Sequence, residues 1–350
     1  MNTTANATLL TTLLAVLGMV ALMGCTDAGP AEGVQAIEGK VVSIAARAPD
    51  GAVPATPQRP RRTADLSKLA NYQPLGDLSG NLTSTGSDTL ANLVSQWATA
   101  YRRFYPSVNV QIQAAGSASA VTALLEQTAQ FGPMSRAMRE LEAEAFVRRH
   151  GYAPTGIRVA FDSIDVFVHK DNPLQSLSIQ QVDAIFSATR RCGYTEDLRQ
   201  WGQLGLTGSW QNRPIQLYGR NTVSGTYSYF KTRALCDGDF RNRVNEQPGA
   251  TAVAQAVSSS LNGIGYSSLG QQHPGTKSLQ LYNSTSSNAG EVLTRPLYIY
   301  VNKKPGEPLP VSQMQFLRYA LSREGQKAVM NEGFLPLRPK VATRELEKLL

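Results

Sequence analysis

The sequence is poor in the side chains that most often carry chemistry. Of 350 residues, three are histidine (His150, His169 and His273), three are cysteine and three are tryptophan. No two histidines have the spacing that holds zinc on one helix face, and no Gly-x-Ser-x-Gly elbow presents a nucleophilic serine. Gly270-Gln-Gln-His-Pro-Gly275-Thr276-Lys277 has the outline of a P-loop, but its lysine follows the threonine and it lies in a polar stretch. These absences argue against an enzyme, against a metal site and against any cofactor. There is no zinc knuckle, aromatic-rich RNA motif or basic helix, so nucleic acid is not an expected partner. The net charge of +8 and the pI near 9.4 permit attraction to anions without selecting one. No internal repeat is present, and beyond residue 25 no run is long and apolar enough to cross a bilayer.

The first 25 residues are of another kind. LLTTLLAVLGMVALMGC (9–25) is an apolar run closed by small residues, the pattern of a secretory signal. Its Leu22-Met23-Gly24-Cys25 ending resembles a bacterial lipoprotein box, which implies a signal peptide over 1–24 and a lipid on Cys25. The leader departs from that pattern, because MNTTANAT carries no Lys or Arg. The alternative is an ordinary secreted protein in which Cys25 merely precedes the mature start. On the lipoprotein reading the chain is exported to the periplasm or cell surface and touches the membrane through its anchor alone. Thr26, not aspartate, follows the cysteine, which implies the outer membrane if the cell is Gram-negative. Residues 25–79, rich in Ala and Pro and with Arg59, Arg61 and Arg62 clustered, read as a tether.

With Cys25 lipidated, Cys192 and Cys236 remain as an even pair. In an exported protein such a pair is expected to close a disulfide. The alternative is two free buried thiols.

From residue 80 onward, roughly 270 residues are enough for a sizeable core or for two lobes. DTLANLVSQWATAYRRFYP (88–106) places apolar residues at helical spacing and VNVQIQA (108–114) alternates as a strand. VTALLEQTAQF and SIQQVDAIFS (178–187) are helical, and SQMQFLRYALSREGQKAVMNEG (312–333) reads as one long amphipathic helix. RVAFDSIDVFVHK (158–170) reads as one strand, carrying Asp162 and Asp165 as a solvated or hinge-facing pair. RPIQLYGR (213–220), NGIGYSSLG (262–270) and RPLYIYVNK (295–303) are further strands. Strands alternating with helices predict an α/β fold.

One local arrangement recurs: a strand, a short loop with hydroxyl side chains, and a helix start. It appears at 82–89, at Gly116-Ser117-Ala118-Ser119, and at Gly219-Arg220-Asn221-Thr222-Val223-Ser224-Gly225-Thr226. The first N–H groups of a helix lack internal acceptors and carry partial positive charge. An oxyanion takes those donors, hydroxyls add more, and a glycine lets the backbone come close. Arg220 adds a planar fork for two oxygens and is expected to be the one full positive charge there. Ser and Thr are also ordinary helix caps, worth about 1 kcal/mol each. Three such starts, one with an arginine, point to an anion site rather than to caps alone.

The chain resembles the phosphate-binding protein family of bacterial phosphate ABC transporters. The likeness rests on GSDTL (86–90) with Trp97 and Tyr101, GSASA (116–120), FGPMSRAM (131–138), GRNTVSGT (219–226), GIGY (263–266) and RPLYIYVN (295–302). It covers most of residues 80–340, and Arg-x-x-x-Ser-Gly-Thr is its most specific part. The resemblance implies a two-lobed periplasmic-binding-protein fold of type II, an α/β fold with two mixed-sheet lobes joined by a hinge. The chain would cross between lobes near Ile164 and Arg295, giving lobe 1 as 80–163 with 291–350 and lobe 2 as 164–290. It implies a monomer that holds inorganic phosphate between the lobes and serves a phosphate ABC permease.

By motif, Ser117, Arg220, Ser224, Gly225 and Thr226 are carried over as ligands, and Asp88 and Thr89 fall in the first ligand loop. Many members place an aspartate shortly after Phe-Gly to accept the proton of hydrogen phosphate; here that position is Ser135, followed by Arg136. Asp88 is either a replacement acceptor or a plain capping aspartate. The rival functions are a binder of another oxyanion and a surface sensory or adhesive module of phosphate-binding ancestry.

Overall fold

The computed structural model describes residues 65–268, 273–283 and 293–350, all within the compact unit Pro60–Leu350. Cys25, the apolar run before it and the Arg59–Arg62 cluster lie outside the described residues. Among the described residues no helix is long and apolar enough to cross a membrane.

The described residues up to Ser163 and those from Thr294 onward build one core. Strand β1 (Ser79–Thr85) pairs in parallel with β2 (Ser107–Gln113), and helix α1 (Ala91–Tyr101) connects them. Leu93, Val94, Trp97, Ala98 and Tyr101 of α1 are buried, the face its 3.6-residue period predicts. Helix α2 (Ser117–Leu125) leads to β3 (Gly132–Met134), and α3 (Glu140–His150) to β4 (Thr155–Ser163). A late strand, β12 (Thr294–Val301), lies antiparallel between β3 and β4. Leu93, Trp97, Ile157, Val159, Leu297, Ile299 and Phe316 share one core.

The long helix expected over 312–333 is two helices, α7 (Val311–Leu321) and α8 (Arg323–Asn331). Ser322 ends one and caps the next: its hydroxyl donates to the Tyr319 carbonyl at 2.7 Å and accepts from the Gly325 N–H at 3.2 Å. A serine that competes for backbone groups breaks a helix that the apolar period alone would continue. Trp97 Nε1 donates to the Gly325 carbonyl at 2.9 Å, fixing α8 on α1. Helix α9 (Pro339–Glu347) closes the chain. The tether expected to run to residue 79 is packed structure from residue 65. Leu69 and Tyr72 are buried, and the Tyr72 hydroxyl meets Tyr105 at 2.9 Å and Gln315 at 3.0 Å.

The single strand expected over 158–170 is also two. β4 ends at Ser163, and β5 (Asp165–His169) belongs to another sheet. The run of β-forming residues continues through a change of sheet, because β4 and β5 follow each other with only Ile164 between them and both are largely buried, so no turn residue marks the break. Ile164, fully buried at the break, donates its N–H to the Leu293 carbonyl at 3.0 Å.

The second lobe centres on a sheet ordered β10-β5-β9-β7-β8, with β7 (Gln216–Arg220), β8 (Asn245–Gln247), β9 (Gly263–Ser267) and β10 (Thr276–Ser278). β7 is parallel to β8 and β9, whereas β5 is antiparallel to β9. A small parallel pair, β6 (Ser176–Ser178) with β11 (Gln280–Tyr282), stands beside it. Helices α4 (Ile179–Phe186), α5 (Gly225–Ala234) and α6 (Ala250–Ser258) accompany this lobe. Phe186, Phe230 and Tyr266 form an aromatic centre, with Phe230 and Tyr266 stacked at 3.7 Å. Cys192 and Cys236 are joined by a disulfide, with Cα atoms 5.4 Å apart, tying the segment after α4 to the end of α5.

Candidate functional site

Four strand ends deliver their loops to one place. β1 ends in Gly86-Ser87-Asp88-Thr89, β2 leads to Gly116-Ser117, β3 to Ser135, and β7 to Arg220 and the start of α5. The first three belong to one lobe and the fourth to the other.

The approach is close enough that side chains have been removed to allow it. A Cβ on Gly225 would lie 2.4 Å from Ser117 Oγ and 2.5 Å from Ser135 Oγ. Gly116, with φ of 96°, would place a Cβ 2.7 Å from the Val223 carbonyl oxygen. That carbonyl accepts the Ala118 N–H at 3.2 Å, a backbone bond between the loops of two lobes. Ser117 Oγ accepts the Ser135 N–H at 3.1 Å and lies 3.2 Å from Ser135 Oγ. Thr89 Oγ1 and Thr226 Oγ1 face each other at 3.4 Å.

The expected hydroxyl caps are present at one helix of the three. Ser224 caps α5, accepting the Thr226 N–H at 3.1 Å. Helix α2 is capped by Gly116 with no side-chain bond, and Ser117 is its first residue. The first loop opens a 3₁₀ turn, Asp88–Leu90, whose cap Ser87 makes no side-chain cap bond. The spacing of hydroxyls did not reveal this, because a serine one residue past the cap looks the same in sequence. Asp88 is therefore not a capping aspartate; its carboxylate pairs with Arg220.

Arg220 is 1% exposed. Its Nη2 lies 2.8 Å from Asp88 Oδ1 and 3.0 Å from the Pro248 carbonyl. Its Nε and Nη1 are buried without a hydrogen-bond partner. Such orphaned donors on a charged group are costly unless something accepts from them. Arg136, next to Ser135, is committed elsewhere: both of its terminal nitrogens donate to Glu142 at 2.7 Å. Burial works against ionisation of Glu142, but the Arg136 and Arg139 hydrogen bonds prevail and hold its carboxyl at about 2.

Arg220 is not the one cation here. Arg295, fully buried at the start of β12, donates through Nη2 to Thr226 Oγ1 at 2.9 Å. Its Nε and Nη2 both reach Asp162 Oδ2, at 2.9 and 2.8 Å, and Ser268 donates to Asp162 Oδ1 at 2.7 Å. Asp162 is thus buried and ion-paired rather than solvated, while Asp165 lies across Ile164 in the other sheet. The signal for Arg295 and Asp162 was their opposite charge on two strands rich in apolar residues, where a buried unpaired charge is not tolerated. Burial raises the hydroxyl pKa of Tyr266 and of Tyr229, both near these arginines, so both stay neutral donors. Among the described residues no group of three or more His, Cys, Asp and Glu could hold a metal. The arrangement offers neutral hydroxyls and a guanidinium fork, with one carboxylate beside them, which suits a small oxyanion able to donate one proton.

Residues 71–324 match the model of the PBP superfamily domain. Over 80% of this chain and 90% of its counterpart, the sequence is 52% identical to the phosphate-binding protein PstS of Pseudomonas aeruginosa. A substrate-binding protein with bound phosphate from Clostridium perfringens superposes with a TM-score of 0.62 at 21% identity, covering 74% of this chain and 100% of that one. An ABC-type phosphate transport receptor from Vibrio cholerae does so with a TM-score of 0.57 at 19% identity, with coverage of 74% and 100%. At these identities the two structures show the fold, the two-lobed periplasmic-binding-protein architecture.

Proposed function

The chain belongs to the PBP superfamily, in the family of the phosphate-binding protein PstS, and from that premise we propose that it binds inorganic phosphate between its two lobes. It acts as the extracytoplasmic solute-binding component of a phosphate ABC transporter and turns over no substrate. The observation that carries this reading is Arg220: a buried guanidinium with Nε and Nη1 unpartnered, paired to Asp88 of the first loop and at the head of the loop whose Gly225 meets Ser117 and Ser135.

In the proposed site Arg220 gives a charge-assisted fork to two phosphate oxygens. Ser117, Ser135, Ser224, Thr226 and Thr89 supply neutral donors, and Gly225 lets its own backbone approach. Asp88 takes the proton of hydrogen phosphate, the role for which Ser135 has no carboxylate. A carboxylate acceptor repels a fully ionised oxyanion, so Asp88 favours phosphate over sulfate. The lobes divide as 80–163 with 291–350 and 164–290. Cys25 carries the lipid that holds a monomer to the membrane, and a permease receives the phosphate.

Calorimetry on the domain lacking the first 60 or so residues tests this reading. Saturable one-to-one heat with phosphate, little with sulfate and no hydrolysis of phosphate esters is expected. No heat with phosphate overturns the function. Equal affinity for sulfate, unchanged in Asp88→Asn, overturns the role of Asp88. Cys25→Ser in the full chain should release it from membranes, and continued membrane association would sink the anchor.

A further inference from the structure

Arg295 stands outside the four loops that compose the proposed site, yet it touches one of them. It sits on β12, in the sheet of the first lobe, while Thr226 is the second residue of α5, in the other lobe. We infer that Arg295, held by Asp162, is a positioning residue that turns the Thr226 hydroxyl into an oriented donor for the bound anion and latches α5 to the hinge side of the first lobe. This inference rests on the reading that phosphate occupies the cleft.

The argument begins from what a guanidinium can do. Arginine has five N–H donors and no acceptor. A hydroxyl 2.9 Å from Arg295 Nη2 must therefore accept from it. Thr226 has one proton to give, and it is directed away from Arg295. The neighbour on that side, Thr89 Oγ1, is 3.4 Å away, beyond the ordinary range of an O–H···O bond. The proton is oriented but loosely held. The adjacent cation also polarises the hydroxyl, making it a better donor. An oxyanion that accepts it completes a chain from Asp162 through Arg295 and Thr226 to the ligand.

Arg295 is itself held through Nε and Nη2, while its Nη1 is buried without a hydrogen-bond partner. Asp162 Oδ2 takes both Nε and Nη2, while Ser268 occupies Asp162 Oδ1. The guanidinium lies 5.6 Å from the Tyr229 ring centroid, and the Tyr229 hydroxyl donates to the Thr294 carbonyl at 2.7 Å. Two neighbouring residues of β12 thereby grip α5 at Thr226 and Tyr229. The pair Asp162–Arg295 is buried at 2% and 0% exposure, where breaking one member alone leaves an uncompensated charge. A purely structural ion pair would stabilise the hinge without reaching Thr226. The Nη2 contact is what joins it to the binding loop.

A double-mutant cycle read by phosphate calorimetry, with thermal unfolding measured without phosphate, separates the two roles. Arg295→Met is made together with Asp162→Asn, so that no carboxylate is stranded. That pair and Thr226→Val should each weaken phosphate binding by about tenfold, and the combined variant should lose about tenfold too, not a hundredfold, because both remove the same oriented donor. Thr226→Ser, which keeps the hydroxyl, should stay within about threefold of wild type. Arg295→Lys guards against misfolding: an ammonium satisfies Asp162 without the planar reach. It should melt near wild type and bind phosphate more weakly, with no further loss from Thr226→Val. Losses that multiply, or Arg295 variants that bind as wild type, overturn the positioning role alone. A wild-type protein that gives no heat with phosphate overturns the functional reading and this role together.

Discussion

Arg220 Nη2 lies 2.8 Å from Asp88 Oδ1, joining the end of β7 in one lobe to the first loop of the other. The pair is unequal: Arg220 is 1% exposed and Asp88 16%. A carboxylate that answers one nitrogen of a buried guanidinium leaves Nε and Nη1 for another acceptor. This geometry makes Arg220 the residue on which the proposed site depends most.

Arg220→Ala should weaken phosphate binding by roughly 30-fold or more, from the 2–5 kcal/mol typical of a broken buried charge pair at about 1.4 kcal/mol per decade. Arg220→Lys should recover only part, because an ammonium has no planar fork. Ser224→Ala removes a neutral group and should lose less. Calorimetry on folded variants checks the order; wild-type affinity in Arg220→Ala would dismiss the site.

Gly225→Ala tests the close approach. Its Cβ would meet the oxygens of Ser117 and Ser135 at 2.4 and 2.5 Å, so both hydroxyls must swing away. Serine side chains rotate cheaply, so the melting temperature should move by only a few degrees for a cost of about 1 kcal/mol. Phosphate affinity should fall by about tenfold or more, because two donors leave together. Unchanged affinity would remove Ser117 and Ser135 from the ligand set.

The Cys192–Cys236 disulfide closes a separation of 44 residues within the second lobe. Replacing both cysteines by serine should lower stability by about 2–4 kcal/mol in denaturant unfolding. Phosphate affinity should be kept, because neither cysteine is among the four loops. Peptide mapping of exported protein without reductant should recover the linked peptides, and two free thiols there would refute the crosslink.

Glu142 supplies an acid-dependent term. Its carboxyl is held at about 2 in the fold, against an ordinary value of 4.5. A depressed carboxylate stabilises the fold fully above its unfolded value and loses that contribution as pH falls through the folded one. The loss should therefore run from about pH 4.5 down to about pH 2, and amount to no more than about 3 kcal/mol. Glu142→Gln should be less stable at neutral pH and show a flatter stability profile across that window. A profile parallel to wild type would mean that Arg136 and Arg139 do not act through this carboxylate.

What the sequence determined by itself is local. The apolar spacing of Leu93, Val94, Trp97 and Tyr101 reports a helix face because a helix brings residues three and four apart together whatever surrounds it. Cysteine parity in an exported chain pointed to the pairing of Cys192 with Cys236. The order Arg220, Ser224, Gly225, Thr226 was readable as a strand end, a loop and a helix start. The same locality misled at 158–170 and 312–333, where a run of β-forming residues continues through a change of sheet at Ile164 and an apolar period through a helix break at Ser322. Whether a chain turns there depends on which surfaces and backbone groups its neighbours offer.

Only the tertiary structure decided which distant groups meet. Asp162 and Arg295 are 133 residues apart and Thr89 and Thr226 are 137 apart, separations over which sequence period carries no information. A buried charge must find its opposite and a buried hydroxyl must find a partner, but several candidates of each kind exist along the chain. The packing of β12 between β3 and β4, and of α5 against the end of β12, selected among them. The fold accordingly paired Asp88 with Arg220, and the second arginine was hidden in a strand whose apolar neighbours gave no reason to expect a contact with the loop that opens α5.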